Sequence, residues 1–112
     1  MKAKELRIGN LVNVDEKAYK ISVGDLYNLE NYSKNYGHLY KPIPLTEEWL
    51  IRFGFEKKII NERTLKQTIY KSKYYYISLI DFRLSIDGKI YHKIDFVHQL
   101  QNLYFALTGE EL

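Results

Sequence analysis

The sequence predicts a single α+β domain over residues 1–112, in which a small, bent antiparallel sheet packs against a short central helix (46–53) and a C-terminal helix (95–108). Three observations lead there. Short runs rich in Val, Ile and Tyr alternate with turn residues through most of the chain. The stretch PIPLTEEWLIRFGF, residues 42–55, carries a full set of helix start and stop signals. The stretch FVHQLQNLYFALT, residues 96–108, keeps apolar residues at helical spacing up to a glycine. At 112 residues the chain is long enough for one core.

The elements follow in order. Gly9-Asn10 is a turn signal. Residues 11–14 form a short strand, 15–17 a polar turn, and 19–23 the returning strand. Two short strands after a Gly-Asn turn resemble the opening of small SH3-like barrels, so a barrel-like N-terminal end is expected. Residues 25–30 are expected as its third strand, and NYSKNYG (31–37) as an exposed loop. Pro42 and Pro44 then hold the chain extended. Thr46 is an N-cap, with Glu47 and Glu48 at the positive end of the helix dipole. Leu45 and Leu50 match a hydrophobic staple, and Gly54 supplies a left-handed stop.

Residues 56–94 read as strands, at 57–60, 64–71, 74–80, 81–86 and 89–94. At Asp87-Gly88 two registers compete. A two-residue turn pairs Ile86 with Lys89; a three-residue turn with a bulge at Gly88 pairs Ser85 with Lys89. The second sets Leu84 against Ile90 and Ile80 against Ile94, and is expected because it gathers apolar residues on one face. Asp95 is expected to cap the last helix. Phe96, Leu100, Leu103 and Leu107 form its apolar stripe, with Val97 and Tyr104 beside it, and Gly109 ends it. Phe105 falls opposite that stripe, and Glu110-Glu111-Leu112 is expected to fray.

Composition narrows the chemistry. There is no cysteine, which removes disulfides, thiol catalysis and thiolate metal sites. The opening MKAKELRIGN has no apolar segment of the secretory kind, and no run approaches a membrane span. A cytoplasmic protein with no membrane partner is expected. The net charge of +3 is mild, so attraction to anions is permitted without being demanded. His38, His92 and His98 have no helical partner spacing, so no metal site is expected. No serine sits in a nucleophile elbow, and no phosphate-cradling glycine loop is present. Glu47 and Glu48 are explained by helix stability alone. No cofactor and no enzyme activity are expected.

Two surfaces stand out instead. Tyrosine occurs 11 times, and it suits surfaces that keep a hydroxyl wet while burying a ring. Phe105 and the tyrosines of the least regular segment, Tyr27, Tyr32, Tyr36 and Tyr40, are candidate protein contacts. The run KSKYYY (71–76) raises a second chemistry: Lys71, Lys73, Tyr74, Tyr76 and Arg83 are candidates for an anionic ligand bearing bases. Within a strand, Tyr74 and Tyr76 share one face while Tyr75 joins Ile77 and Leu79 on the other, which forbids a platform of three rings.

ELRIGNLV near the start and HQLQNLYFALTGEEL at the finish, with PIPLTEEWLIRFGF between them, resemble a family of small proteins encoded in phages and prophages of Bacteroides-type gut bacteria. That family has no assigned activity, so the resemblance implies a setting, the cytoplasm of the infected cell, and no catalytic residues. The expected function is binding of a protein partner, either a host protein or a second copy in a homodimer, in a takeover or counter-defence role. Binding of nucleic acid or a signalling nucleotide through the Lys/Tyr surface is the alternative.

Overall fold

Tight turns set the architecture. Asp15-Glu16, Asp81-Phe82 and Asp87-Gly88 each place two successive residues at positive φ. That is the backbone of the two-residue hairpin turn whose twist matches its flanking strands. In the computed structural model, which describes residues 1–112, these turns organise seven strands into two antiparallel sheets. Strands β1 (Leu11–Val14) and β2 (Lys17–Lys20) form a two-stranded sheet. Strands β3 (Glu56–Glu62), β4 (Leu65–Lys71), β5 (Ile77–Ile80), β6 (Arg83–Ile86) and β7 (Lys89–Lys93) form a five-stranded meander in chain order. The helices are α1 (Val23–Asn31), α2 (Ser33–Tyr36), α3 (Glu47–Arg52) and α4 (Val97–Thr108).

These elements sort into two compact units. One is Met1–Pro44 with Phe96–Leu112; the other, Leu45–Asp95, is inserted between those segments. The first is built on Leu6, Val12, Ile21, Leu29 and Tyr40, all buried. There α4 buries Val97, Leu100 and Tyr104, and the Val97 N–H donates to the Ile43 carbonyl at 2.9 Å. In the inserted unit a row of cross-strand partners, Lys57–Tyr70–Leu79–Leu84, defines the covered face of the sheet. Its last three members are buried, as are Leu50 of α3 and Phe55. The Tyr70 hydroxyl donates to Glu47 Oε1 at 3.3 Å, and Lys57 pairs with the same carboxylate, so the start of α3 is tied to this face.

The central helix forms as its signals require. Thr46 Oγ1 accepts from the Trp49 N–H, and Gly54 takes φ +89° just beyond the helix. Gly109 at φ +76° likewise ends α4. Other expectations fail for identifiable reasons. No barrel closes: β1 and β2 pair with each other, and their one further backbone bridge is an isolated one between Asn13 and Lys41. Residues 25–30, expected as the third strand, lie in α1, because Ser22 and Asp25 make a reciprocal capping box. The Asp25 N–H donates to Ser22 Oγ at 3.3 Å, and the Ser22 N–H donates to Asp25 Oδ2 at 2.7 Å. The expected loop at 31–37 contains α2 and a 3-10 turn.

Three corrections concern the meander and the last helix. Strand β5 begins at Ile77, so the three tyrosines precede it; Asp81 and Phe82 are a turn, not strand. At Asp87-Gly88 the two-residue register is the one formed, with Ile86 opposite Lys89 and Ser85 opposite Ile90. The bulge occurs instead between Arg83 and Ser85. Apolar matching had no purchase there, because β7 is exposed along its whole length. In α4 the N-cap is Phe96, not Asp95, with Gln99 Oε1 accepting from the Phe96 N–H. Its buried face comprises Val97, His98, Leu100, Gln101 and Tyr104, while Leu103 and Leu107 are exposed. The helix is thus turned roughly a quarter of a revolution from the apolar stripe at 100° per residue.

Candidate contact surfaces

The capping box that converts 23–31 into a helix also chooses which of its side chains face out. Asp25 and Leu29 are buried, and Val23 and Tyr27 lie on the outer side. Asn31 Nδ2 donates to the Tyr27 carbonyl at 2.9 Å, closing the last turn. The chain then passes into α2, and three tyrosines stand in sequence. The Tyr27 and Tyr32 rings meet edge to face at 6.2 Å, and the Tyr32 and Tyr36 rings at 6.5 Å. They are 59%, 48% and 36% exposed, and Val23 beside them is 67% exposed. A shallow groove of about 470 Å³ runs alongside, lined by Ala3, Lys4, Val23, Leu26, Tyr27 and Glu30. Three of the five expected contact residues are therefore brought together on one surface.

Tyr40 is not part of it. Its ring is buried, and its hydroxyl donates to Asp25 Oδ1 at 2.7 Å. Asp25 also accepts from the Tyr19 hydroxyl at 2.8 Å, and from the Ser22 hydroxyl and N–H, both at 2.7 Å. Burial opposes ionisation of Asp25, but the hydrogen bonds from Ser22, Tyr40 and Tyr19 together hold its carboxyl below the usual aspartate range. The same arrangement raises its partners. Burial, then the hydrogen bond to Asp25, pushes Tyr40 well above the ordinary tyrosine range; for Tyr19 the hydrogen bond comes first. At neutral pH the group is one fixed carboxylate holding two neutral phenols. Such an arrangement holds α1 in place and has no proton to exchange near neutrality.

Phe105 is 37% exposed, and the Arg7 guanidinium lies over its ring, 4.1 Å from the centroid. Arg7 Nη1 also donates to Glu111 Oε1 at 2.7 Å, which ties down the tail expected to fray. The neighbouring polar contacts went unread in the sequence. The Leu11 N–H donates to Gln101 Oε1 at 2.8 Å, and Asn10 Nδ2 to Asn102 Oδ1 at 2.8 Å. Asn10 and Gln101 are buried. His98 is buried against Phe96, their rings stacked at 5.9 Å, and its Nδ1 makes no hydrogen bond. Burial pushes its pKa below the ordinary histidine value, with the charge of Glu5 acting the other way.

The second expected surface lies in the inserted unit and is only partly the set foreseen. The loop joining β4 to β5 is held by Ser72, whose hydroxyl donates to the Ile77 carbonyl at 2.8 Å and accepts from the Tyr74 N–H at 3.1 Å. Freed from strand geometry, the tyrosines cluster. Tyr74 and Tyr76 rings lie 5.8 Å apart, Tyr75 and Tyr76 rings 5.5 Å apart, and Lys73 Nζ sits 5.3 Å from the Tyr74 centroid. Tyr75 is 96% exposed. The strand argument that set Tyr75 apart thus does not apply. Lys71 and Arg83 project from the face opposite Tyr70 and Leu79, in rows two residues apart. Cross-strand pairing adds Lys58 and Lys93 to that face, which sequence alone left unassigned.

No group of three or more His, Asp or Glu side chains gathers where it could hold a metal ion. No helix is long and apolar enough to cross a membrane. Comparison with protein-family models, with curated proteins and with solved structures finds no match to this chain.

Proposed function

We propose that the protein acts by binding rather than by catalysis, and that the Tyr27–Tyr32–Tyr36 surface of α1 and α2 is its contact with a protein partner. The observation that carries this reading is the continuity of that surface. Three tyrosine rings in a chain of contacts through Tyr32, with Val23 and the apolar groove beside them, leave more apolar area exposed than a single scattered residue would. Tyrosine is among the side chains from which interface hot spots are most often built. The charge of the unit agrees. Among residues 1–44 and 96–112, seven basic side chains face seven acidic ones, which favours a protein over a polyanion as occupant. The partner we envisage offers an apolar side chain to the groove and a polar rim to the tyrosine hydroxyls. The likeness of ELRIGNLV and HQLQNLYFALTGEEL to small phage proteins makes a bacterial host protein the first class to try, and a second copy of this chain the next.

The test compares the wild type with Tyr27→Asp/Tyr32→Asp, two exposed positions where circular dichroism should remain unchanged. Affinity capture from bacterial lysate, with sedimentation for self-association, should show a partner or dimer lost in the double variant and kept in Phe105→Asp. Capture that survives the double substitution removes this surface from the function.

A further inference from the structure

We propose that the open face of the five-stranded sheet binds single-stranded nucleic acid, with phosphates held by Lys58, Arg83 and Lys93 and bases meeting the tyrosine loop at its end. The register places these cations. Lys58 pairs with Ile69, Ile69 with Ile80, Ile80 with Arg83, and Arg83 with Lys93. Cross-strand partners share a face, so one row crossing all five strands reads cation, apolar, apolar, cation, cation. The opposite face carries buried Tyr70, Leu79 and Leu84, so the row points away from the core. Lys58, Arg83 and Lys93 are exposed and none is in an ion pair. Strands lie about 4.8 Å apart, so Lys58 and Arg83 stand on the order of 14 Å from each other across a half-buried floor of Ile69 and Ile80.

The adjoining row, two residues nearer the β4–β5 loop, is Glu56–Lys71–Ser78–Ser85–Ile90. Lys71 has Glu56 across from it, so the uncompensated charge lies in the Lys58–Lys93 row. Beyond Lys71 stand Tyr74, Tyr75 and Tyr76, with the backbone of the loop fastened to the neighbouring turn by the Asp87 N–H donating to the Tyr76 carbonyl at 2.9 Å. A cationic row leading to a ring cluster with Tyr75 fully open is what a flexible polyanion with bases requires, since charge tracks the backbone and every base offers a face to stack. Charge selects this occupant over a protein. Residues 45–95 hold ten basic and seven acidic side chains, which accounts for the whole net charge of +3.

This surface shares no residue with the Tyr27–Tyr36 surface, so either can fail without the other. The experiment is fluorescence anisotropy of a labelled oligothymidine with the full chain at about 25 mM and about 250 mM salt. Three phosphate contacts on a single strand give a slope of about −2, or about 100-fold weaker binding over that range. Arg83→Gln/Lys93→Gln should flatten the dependence to roughly fivefold, while Lys17→Gln/Lys20→Gln, on exposed β2, leaves it intact. Tyr75→Ala should weaken oligothymidine binding about tenfold and leave heparin retention unchanged, because heparin has charge without bases. All three variants should keep the wild-type melting temperature. The proposal is overturned by no binding at low salt, by equal effects of the β2 and sheet-face substitutions, or by duplex DNA binding as tightly as the single strand.

Discussion

Removing the Asp25 carboxylate would leave two phenols and a helix N-terminus without their acceptor. Tyr19, Tyr40 and Ser22 all donate to it, and α1 begins on it. Asp25→Ala should therefore cost roughly 3 kcal/mol in thermal or denaturant unfolding, a lost cap combined with the stranded hydroxyl of buried Tyr40. The pH dependence has a definite sign. A carboxyl whose folded pKa is depressed contributes fully above its ordinary value of 3.8, and that contribution is lost as pH falls below it. The wild type should lose stability through that acid window, and Asp25→Asn should show a smaller loss there. A variant as acid-sensitive as the wild type would show that the carboxylate does not hold α1. Because the tyrosine surface stands on this helix, the network is a positioning device for the proposed contact.

At the scale of elements, α4 shows how a polar side chain can direct the rotation of a helix. Gln101 occupies a buried position because its amide accepts from the Leu11 N–H and donates to the Gly9 carbonyl at 3.4 Å. Turning the helix to bury Leu103 and Leu107 would swing Gln101 out and strand those backbone groups. Gln101→Leu makes the helix more apolar, yet it should lower stability by about 1–3 kcal/mol, since the half-buried Leu11 N–H then loses its partner. An unchanged or higher melting temperature would show that apolar packing, not this amide, sets the rotation. The turns follow a related logic. Asp-Gly at 87–88 tolerates two positive φ angles, so the two-residue register costs little, while Phe82 at φ +64° is held by its ring contact with Tyr70 at 5.6 Å.

For the whole molecule, charge and acid response divide between the two units. The net positive charge belongs to 45–95, while Asp25 and His98 both lie in the other unit. Burial disfavours the charged form of His98 when folded, while the unfolded chain takes up its proton below the ordinary value of 6.5, so this unit begins to lose stability there as pH falls. Trp49, the single tryptophan, reports on the inserted unit. On lowering the pH, amide signals of Leu29 and Leu100 should weaken before Trp49 emission shifts, and His98→Phe should move that onset to lower pH. Coincident transitions in the wild type would contradict this division.

The sequence by itself determined what local physics controls. Thr46 with its acids and Gly54 bound α3, and Gly109 bounds the end of α4, almost where they are observed, and the antiparallel, mixed character of the fold follows from strand-length apolar runs between turn residues. The Ser22–Asp25 capping pair was also present in the sequence, but residues 25–30 were expected as a third strand of the barrel-like end. Only the tertiary structure decided faces. Whether Tyr40 is a contact or a donor to Asp25, whether Phe105 is bare or under Arg7, and whether Arg83 aligns with Lys58 and Lys93 all depend on partners remote along the chain. A one-residue change of register or a quarter turn of a helix costs nothing in local propensity but reverses what is exposed, so burial and hydrogen bonding across the fold alone can choose between them.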